Sequence, residues 1–195
     1  MSNIFIPTIT TITDGREHNM DILSYEFIKN REVWLNGEVN SESARIIASQ
    51  LRYLGAKSDE EIKLFINSPG GSVSDGMMIL DAMNSISAPV ATICTGLAAS
   101  MGAFLLSCGA KGRRFSAENC EIMIHQPLGG THGQATDICI AAEHIKKIKL
   151  RLASQLAINC NKGVEEVMGD LERDFWMSSD DALKYGIVDH IGFPD

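Results

Sequence analysis

Basic residues are scarce in this chain. Lys and Arg together number 17 against 25 Asp and Glu, a formal charge of −8 over 195 residues. Gripping a phosphate backbone takes a clustered basic stripe, and the sequence has none, which argues against a nucleic-acid partner. Paired cysteine motifs are also missing. The five cysteines (Cys94, Cys108, Cys120, Cys139 and Cys160) are odd in number, contain no CxxC and sit mostly in apolar runs. They read as free, buried thiols of a reducing compartment rather than as disulfides. Cys and His never fall at ligand spacing, so no zinc site is expected, and nothing points to another metal or a cofactor. The first fourteen residues lack a charged stretch followed by an apolar one, so they do not read as a secretory leader. The longest apolar stretches, Val90–Cys94 and Ala98–Leu106, are too short to span a bilayer. A cytoplasmic protein without membrane contact is the expectation. Low-complexity tracts are absent as well.

What remains is ordinary globular composition, 45% apolar and 22% charged, in a length that suits one compact domain. Residues 1–20 are Thr- and Ile-rich, then polar, and read as a conditionally ordered N-terminal segment ahead of a single domain over 21–195. The apolar pattern predicts strands at Val33–Leu35, Ile62–Asn67, Val90–Cys94, Glu121–Ile124 and Ile187–Asp189. It predicts helices from Ser41, as N-cap, to about Leu54, and over Asp75–Ser85, Ser100–Cys108, 135–158, Val164–Leu171 and Ser179–Tyr185. The 135–158 helix carries a stripe of Ile138, Ala141, Ile145, Ile148, Leu152 and Leu156. Strand, turn and helix alternate through Ile124, which indicates α/β architecture.

Three segments suggest chemistry. Ser100 lies in a run of small residues (Gly96, Ala98, Ala99, Gly102, Ala103) between a strand and a helix. A hydrolytic serine needs such a sharp turn, with room for a substrate backbone and a helix N-terminus whose N–H groups, here that of Met101, can face an oxyanion. The same run also fits close helix packing with Ser100 as an ordinary N-cap. His125 ends the apolar strand Ile122–Ile124 and is followed by Gln126 and Pro127, which end strand pairing. It thus stands at a strand's carboxyl end, where α/β sites are built. The other histidines, His18, His132, His144 and His190, lack that combination. Asp174 precedes the apolar Phe175, Trp176 and Met177, whose desolvation would strengthen a hydrogen bond to an imidazole. Spacing alone does not select Asp174 over Asp170 or Asp180.

Taken together, these segments resemble the proteolytic subunit of the Clp protease. The matching runs are INSPGG (Ile66–Gly71), GLAASMGAFLL around Ser100, GAKGRRF (Gly109–Phe115), IMIHQPLGG (Ile122–Gly130), GQATDI (Gly133–Ile138), ERD (Glu172–Asp174) and YGIVD (Tyr185–Asp189). They follow the family's order and spacing across nearly the whole chain. The resemblance implies a crotonase-like α/β spiral of ββα units with a protruding handle, here about 126–158. It implies a Ser100–His125–Asp174 triad and an oxyanion hole from the N–H groups of Gly71 and Met101. Gly71, without a Cβ, would let the backbone approach the reacting carbonyl. Substrate would lie as an added strand between Ser72–Val73 and Leu128–Gly129. Arg173 resembles the family's inter-ring contact residue.

The resemblance also implies a serine endopeptidase of unfolded proteins, built as two stacked seven-membered rings, homomeric or mixed with a paralogue. An AAA+ unfoldase such as ClpX, ClpA or ClpC would feed the chamber. The chain has no GxxxxGK[ST] loop, so that partner would hydrolyse the ATP. A propeptide would be short, about Met1–Asn3. The sequence departs from the family pattern at Leu171 (often Thr or Ser), at the bulky Phe175–Trp176, at Ile4–Ile6 and Thr8–Thr10, and at its short C-terminus. Two other readings compete: an acyl-CoA hydratase or isomerase on the same spiral, which would lack the Ser–His pair, and a conditional or supporting ring subunit that needs an active paralogue.

Overall fold

The computed structural model describes residues 6–13 and 15–194. The proposed Met1–Asn3 propeptide lies outside them. The chain opens with an antiparallel hairpin, β1 (Thr8–Thr13) and β2 (Arg16–Asp21), where the sequence had suggested conditional order. Its β-branched threonines favour extended backbone, and Gly15 turns at φ +72°. Helix α1 (Ile22–Lys29) follows, capped by the Asp21 side chain on the Ser24 N–H at 2.9 Å. The apolar pattern did not predict it, and it buries no residue, so no core stripe marks it.

Beyond it come β3 (Glu32–Asn36), α2 (Ser41–Gly55), β4 (Ile62–Ser68), α3 (Val73–Asn84), β5 (Val90–Ala99) and α4 (Met101–Ser107). The N-cap of α2 is Asn40, not Ser41; its side chain accepts from the Glu42 and Ser43 N–H groups and forms a capping box with Ser43. Then follow β6 (Arg114–Ser116), β7 (Glu121–Ile124), α5 (Ala135–Cys160), α6 (Val164–Asp170), β8 (Phe175–Ser178), α7 (Ser179–Tyr185) and β9 (His190–Ile191). The last strand lies just after the expected Ile187–Asp189. Ile187 and Val188 are buried, so their apolar character reports core packing, while the pairing falls at Phe115↔His190.

The sheet runs β3-β4-β5-β6-β9, parallel throughout, with β7 parallel to β5 and β8 antiparallel to β7. Strand β5 extends past Cys94, through the run of small residues read from sequence as a turn. Its first half pairs with β6 and its second half, Leu97–Ala99, with β7. Gly96, at φ +87°, lies between the two halves, and the register against β4 shifts there. Gly and Ala carry little strand propensity, which hid this half of the strand.

Successive residues of β4 and β5 face opposite sides. Leu64, Ile66, Val90 and Cys94 join the main core with α2, α3, α4 and the C-terminal part of α5. Phe65, Ala91, Ile93 and Phe115 form a second cluster, and Trp34 stacks on Phe65 with ring centroids 4.4 Å apart. The long helix divides similarly: its buried residues are Leu152, Ala153, Leu156, Ala157 and Cys160, while Ile138 and Ile140 near its start are exposed.

Candidate active site

Three neighbouring strand ends meet at one edge of the sheet. Ser100 follows β5, His125 follows β7, and Asp174 precedes β8. Parallel pairing sets Ala99 beside Met123, and the Ser100 N–H donates to the Met123 carbonyl at 2.7 Å. Antiparallel pairing sets Ile124 opposite Phe175. One step further out, His125 faces Asp174. The register of three strands thus brings together residues 25 and 49 positions apart: His125 Nε2 lies 2.9 Å from Ser100 Oγ, and Nδ1 lies 3.0 Å from Asp174 Oδ1.

Ser100 sits at the N-cap position of α4, yet its side chain makes no capping bond. Its backbone holds φ 54° and ψ −119°, a conformation that a non-glycine residue adopts only when its surroundings impose it. The hydroxyl is therefore turned from the helix towards the imidazole, unlike an ordinary N-cap serine. The surroundings are tight. Gly70, at φ +90°, lies so close that a Cβ there would fall 2.7 Å from Ser100 Cβ and 2.8 Å from the Met101 nitrogen. All seven residues of α4 are buried, which fixes the helix that begins at Met101.

Gly71 has φ +144° and forms an isolated parallel bridge with Val39. An added Cβ would strike the Val39 carbonyl. The structure thus gives glycine at 71 a further, internal reason, a close backbone crossing with Val39. Gly70, not singled out by sequence, is the glycine that abuts Ser100; its place in the Pro69-Gly70-Gly71 turn was the available signal. Among the described residues, neither the Gly71 nor the Met101 N–H donates to an acceptor.

Ser72 caps α3 through the Asp75 N–H, and its own N–H donates to the Val39 carbonyl at 2.8 Å. Val73 begins α3 and lines a narrow apolar cavity beside Ser100 and His125, together with Phe104, Pro127, Leu152, Leu156 and Leu171. Leu128 and Gly129 lie in the irregular segment before α5; Leu128 is exposed, and Gly129 packs against Ile145. Leu152 and Leu156 of α5 line this cavity, residues that sequence reading placed only in the apolar stripe of the long helix.

Asp174 differs from its expected setting. Its side chain is 59% exposed, and Phe175 and Trp176 beside it are exposed too, so this single chain does not desolvate the carboxylate. His125 is more enclosed, at 16%. The rival carboxylates are placed elsewhere: Asp170 accepts the Tyr185 hydroxyl at 2.8 Å, and Asp180 lies in the first turn of α7. Arg173 is exposed and makes no ion pair among the described residues.

The Clp protease family model matches residues 14–195. The chain belongs to the Clp protease family. Its mostly parallel sheet with flanking helices is the crotonase-like fold of that family, and membership makes it a serine peptidase in kind.

The cysteines divide by place. Cys94, Cys120 and Cys160 are buried and Cys108 is half-buried, but Cys139 stands exposed on α5, contrary to the reading of buried thiols. Cys120 Sγ accepts from the Gly96 N–H at 3.1 Å and lies 3.2 Å from the Cys94 carbonyl, bracing the point where β5 changes partners. No group of three or more His, Cys, Asp or Glu side chains suited to a metal occurs among the described residues. No helix there is long and apolar enough to cross a membrane.

Proposed function

We propose that this chain is an endopeptidase subunit that cuts unfolded polypeptides by acyl transfer through Ser100. The observation that carries the reading is the continuous hydrogen-bonded row from Ser100 Oγ through His125 to Asp174, formed within one chain. His125 Nε2 takes the Ser100 proton as Oγ attacks the peptide carbonyl carbon. The carbonyl oxygen becomes an oxyanion that accepts from the Gly71 and Met101 N–H groups. Collapse breaks the C–N bond, and His125 passes its proton to the leaving amine. Water then repeats the sequence on the ester and frees the acid. Asp174 holds the imidazole with its Nδ1 proton inward and stabilises the imidazolium. The apolar cavity beside Ser100 would receive an apolar side chain of the substrate, and the added strand would be held by the backbone near Val73 and Leu128–Gly129.

In this reading the working particle is two stacked rings of seven, packed through α5 and Arg173. An AAA+ unfoldase at the outer face would deliver the unfolded chain, and the particle would work in the cytoplasm. The half-exposed Asp174 carboxylate favours one variant of this reading, in which a neighbouring ring, of this chain or of a paralogue, completes the environment of the site. Hydrolysis of an unstructured fluorescent protein by purified chain tests the proposal. Ser100→Ala should lower the rate on the order of 10³-fold or more. An unchanged rate in that variant would refute it, and turnover only after a paralogue is added would establish the supporting-subunit variant.

A further inference from the structure

The β7–β8 ladder ends at Ile124 and Phe175, so His125 and Asp174 lie just past the last paired residues. Their alignment depends on what grips the chain beyond the ladder. Two groups do so, both through the short segment ahead of Asp174. Gln126 donates its N–H to the Leu171 carbonyl at 2.7 Å and its side-chain amide to the Glu172 carbonyl at 3.0 Å. From a third element, α5, the Lys149 ammonium pairs with the Glu172 carboxylate. The Lys149 side chain is 12% exposed and that of Glu172 61%, so the lysine stem is held in packing and only its partner is open to water. Lys149 holds the Glu172 carboxyl below the usual glutamate range, with a smaller contribution from the neighbouring Arg173. The peptide two residues before Asp174 is thus tied on one side to the residue after His125 and on the other to the long helix.

We propose that Lys149, acting through Glu172, is a positioning residue that keeps Asp174 against His125, with Gln126 as the second tie. The inference rests on the reading of Ser100, His125 and Asp174 as the peptidase machinery. It makes the position of α5 an input to the alignment of the site: a shift of the helix at Lys149 is passed to Asp174 through two residues of backbone.

The test uses the assembled full-length protein and a short peptide substrate. Values of kcat and KM are measured for wild type, Lys149→Met, Glu172→Gln, Lys149→Arg and the reversed pair Lys149→Glu with Glu172→Lys, with particle size and Tm recorded for each. Lys149→Met and Glu172→Gln should each lower kcat about fivefold, the scale of an ion pair with one exposed partner, and leave KM unchanged. Their double variant should lose no more than either alone. Lys149→Arg and the reversed pair should recover most of the rate. Unchanged kcat in Lys149→Met and Glu172→Gln particles of wild-type size would overturn the proposal. So would a loss that follows Tm or particle size and is not restored by the reversed pair. Ser100→Ala in the same assay separates the two levels: if it keeps turnover, the reading of the site itself has failed, whatever the Lys149 variants show.

Discussion

At the scale of single residues, the decisive feature is what Ser100 does not do. It occupies a helix N-cap without capping and presents its hydroxyl to His125 at 2.9 Å. Asp174 enters at the other end of the imidazole, and Asp174→Asn would offer an amide that cannot accept from Nδ1 in the same way. That variant should lower kcat by about 10²-fold or more while the particle stays intact, read from peptide turnover beside a sizing column. The glycines act by absence of bulk. In Gly70→Ala the new methyl carbon would fall 2.6 Å from the Ala99 carbonyl oxygen and 2.7 Å from Ser100 Cβ, at φ +90°. The neighbouring backbone must move, so activity should fall by more than tenfold, on the scale of a misplaced reacting group. A Gly70→Ala enzyme with wild-type kcat would show that the approach of this loop to Ser100 does not matter. None of these placements follows from composition or periodicity. The three polar residues became one candidate only through family resemblance, because strand register, a non-local property, brings them together.

At the scale of elements, legibility followed the apolar pattern. Strand β4 and helix α2 were read within a residue or two because each buries one clear set, Leu64 and Ile66 in one, Ala44, Ile47 and Leu51 in the other. The hairpin and α1 were not read, because none of their described residues is fully buried: α1 sets only the half-buried Phe27 against the core. The second half of β5 was hidden by the very Gly and Ala residues that make room around Ser100. Short β6 was missed for another reason: its strand character comes from partners on both sides, Thr92–Cys94 and His190–Ile191.

That edge is fastened by Arg114, whose guanidinium meets Asp189 in two bonds of 2.9 and 2.5 Å. Burial raises the Asp189 pKa, but the Arg114 bonds and charge outweigh it and hold the carboxyl below its ordinary value of 3.8. The pair's stabilisation is therefore complete above about pH 4 and is lost as pH falls through the lowered pKa. Asp189→Asn should destabilise at neutral pH by about 3 kcal/mol, as an arginine loses its buried partner, and should flatten the acid limb of stability. Urea melts from pH 7 down to pH 3 measure this; parallel curves for variant and wild type would contradict it.

At the scale of the molecule, the chain divides into a closed core and an open arm. Helix α5 begins outside the core, with Ile138 and Ile140 exposed, and ends inside it at Leu152, Leu156 and Cys160. Its inner part lines the cavity beside Ser100, and Lys149, where the arm meets the core, ties it to the segment carrying Asp174. An arm that exposes Ile138 and Ile140 calls for a partner surface, and the family's assembly into stacked rings supplies one in the proposed particle. The half-exposed Asp174 lies beside Arg173, the residue proposed for the ring contact, so assembly and alignment of the site are expected to go together. The most direct test of the central claim is fluorophosphonate labelling of the purified chain, with the adduct located by mass spectrometry and the particle sized in the same sample. The account predicts one adduct, on Ser100, in a particle of about fourteen subunits, with labelling abolished in Ser100→Ala and His125→Ala. An assembled wild-type particle that takes no label, or a Ser100→Ala protein that labels as well as wild type, would contradict it.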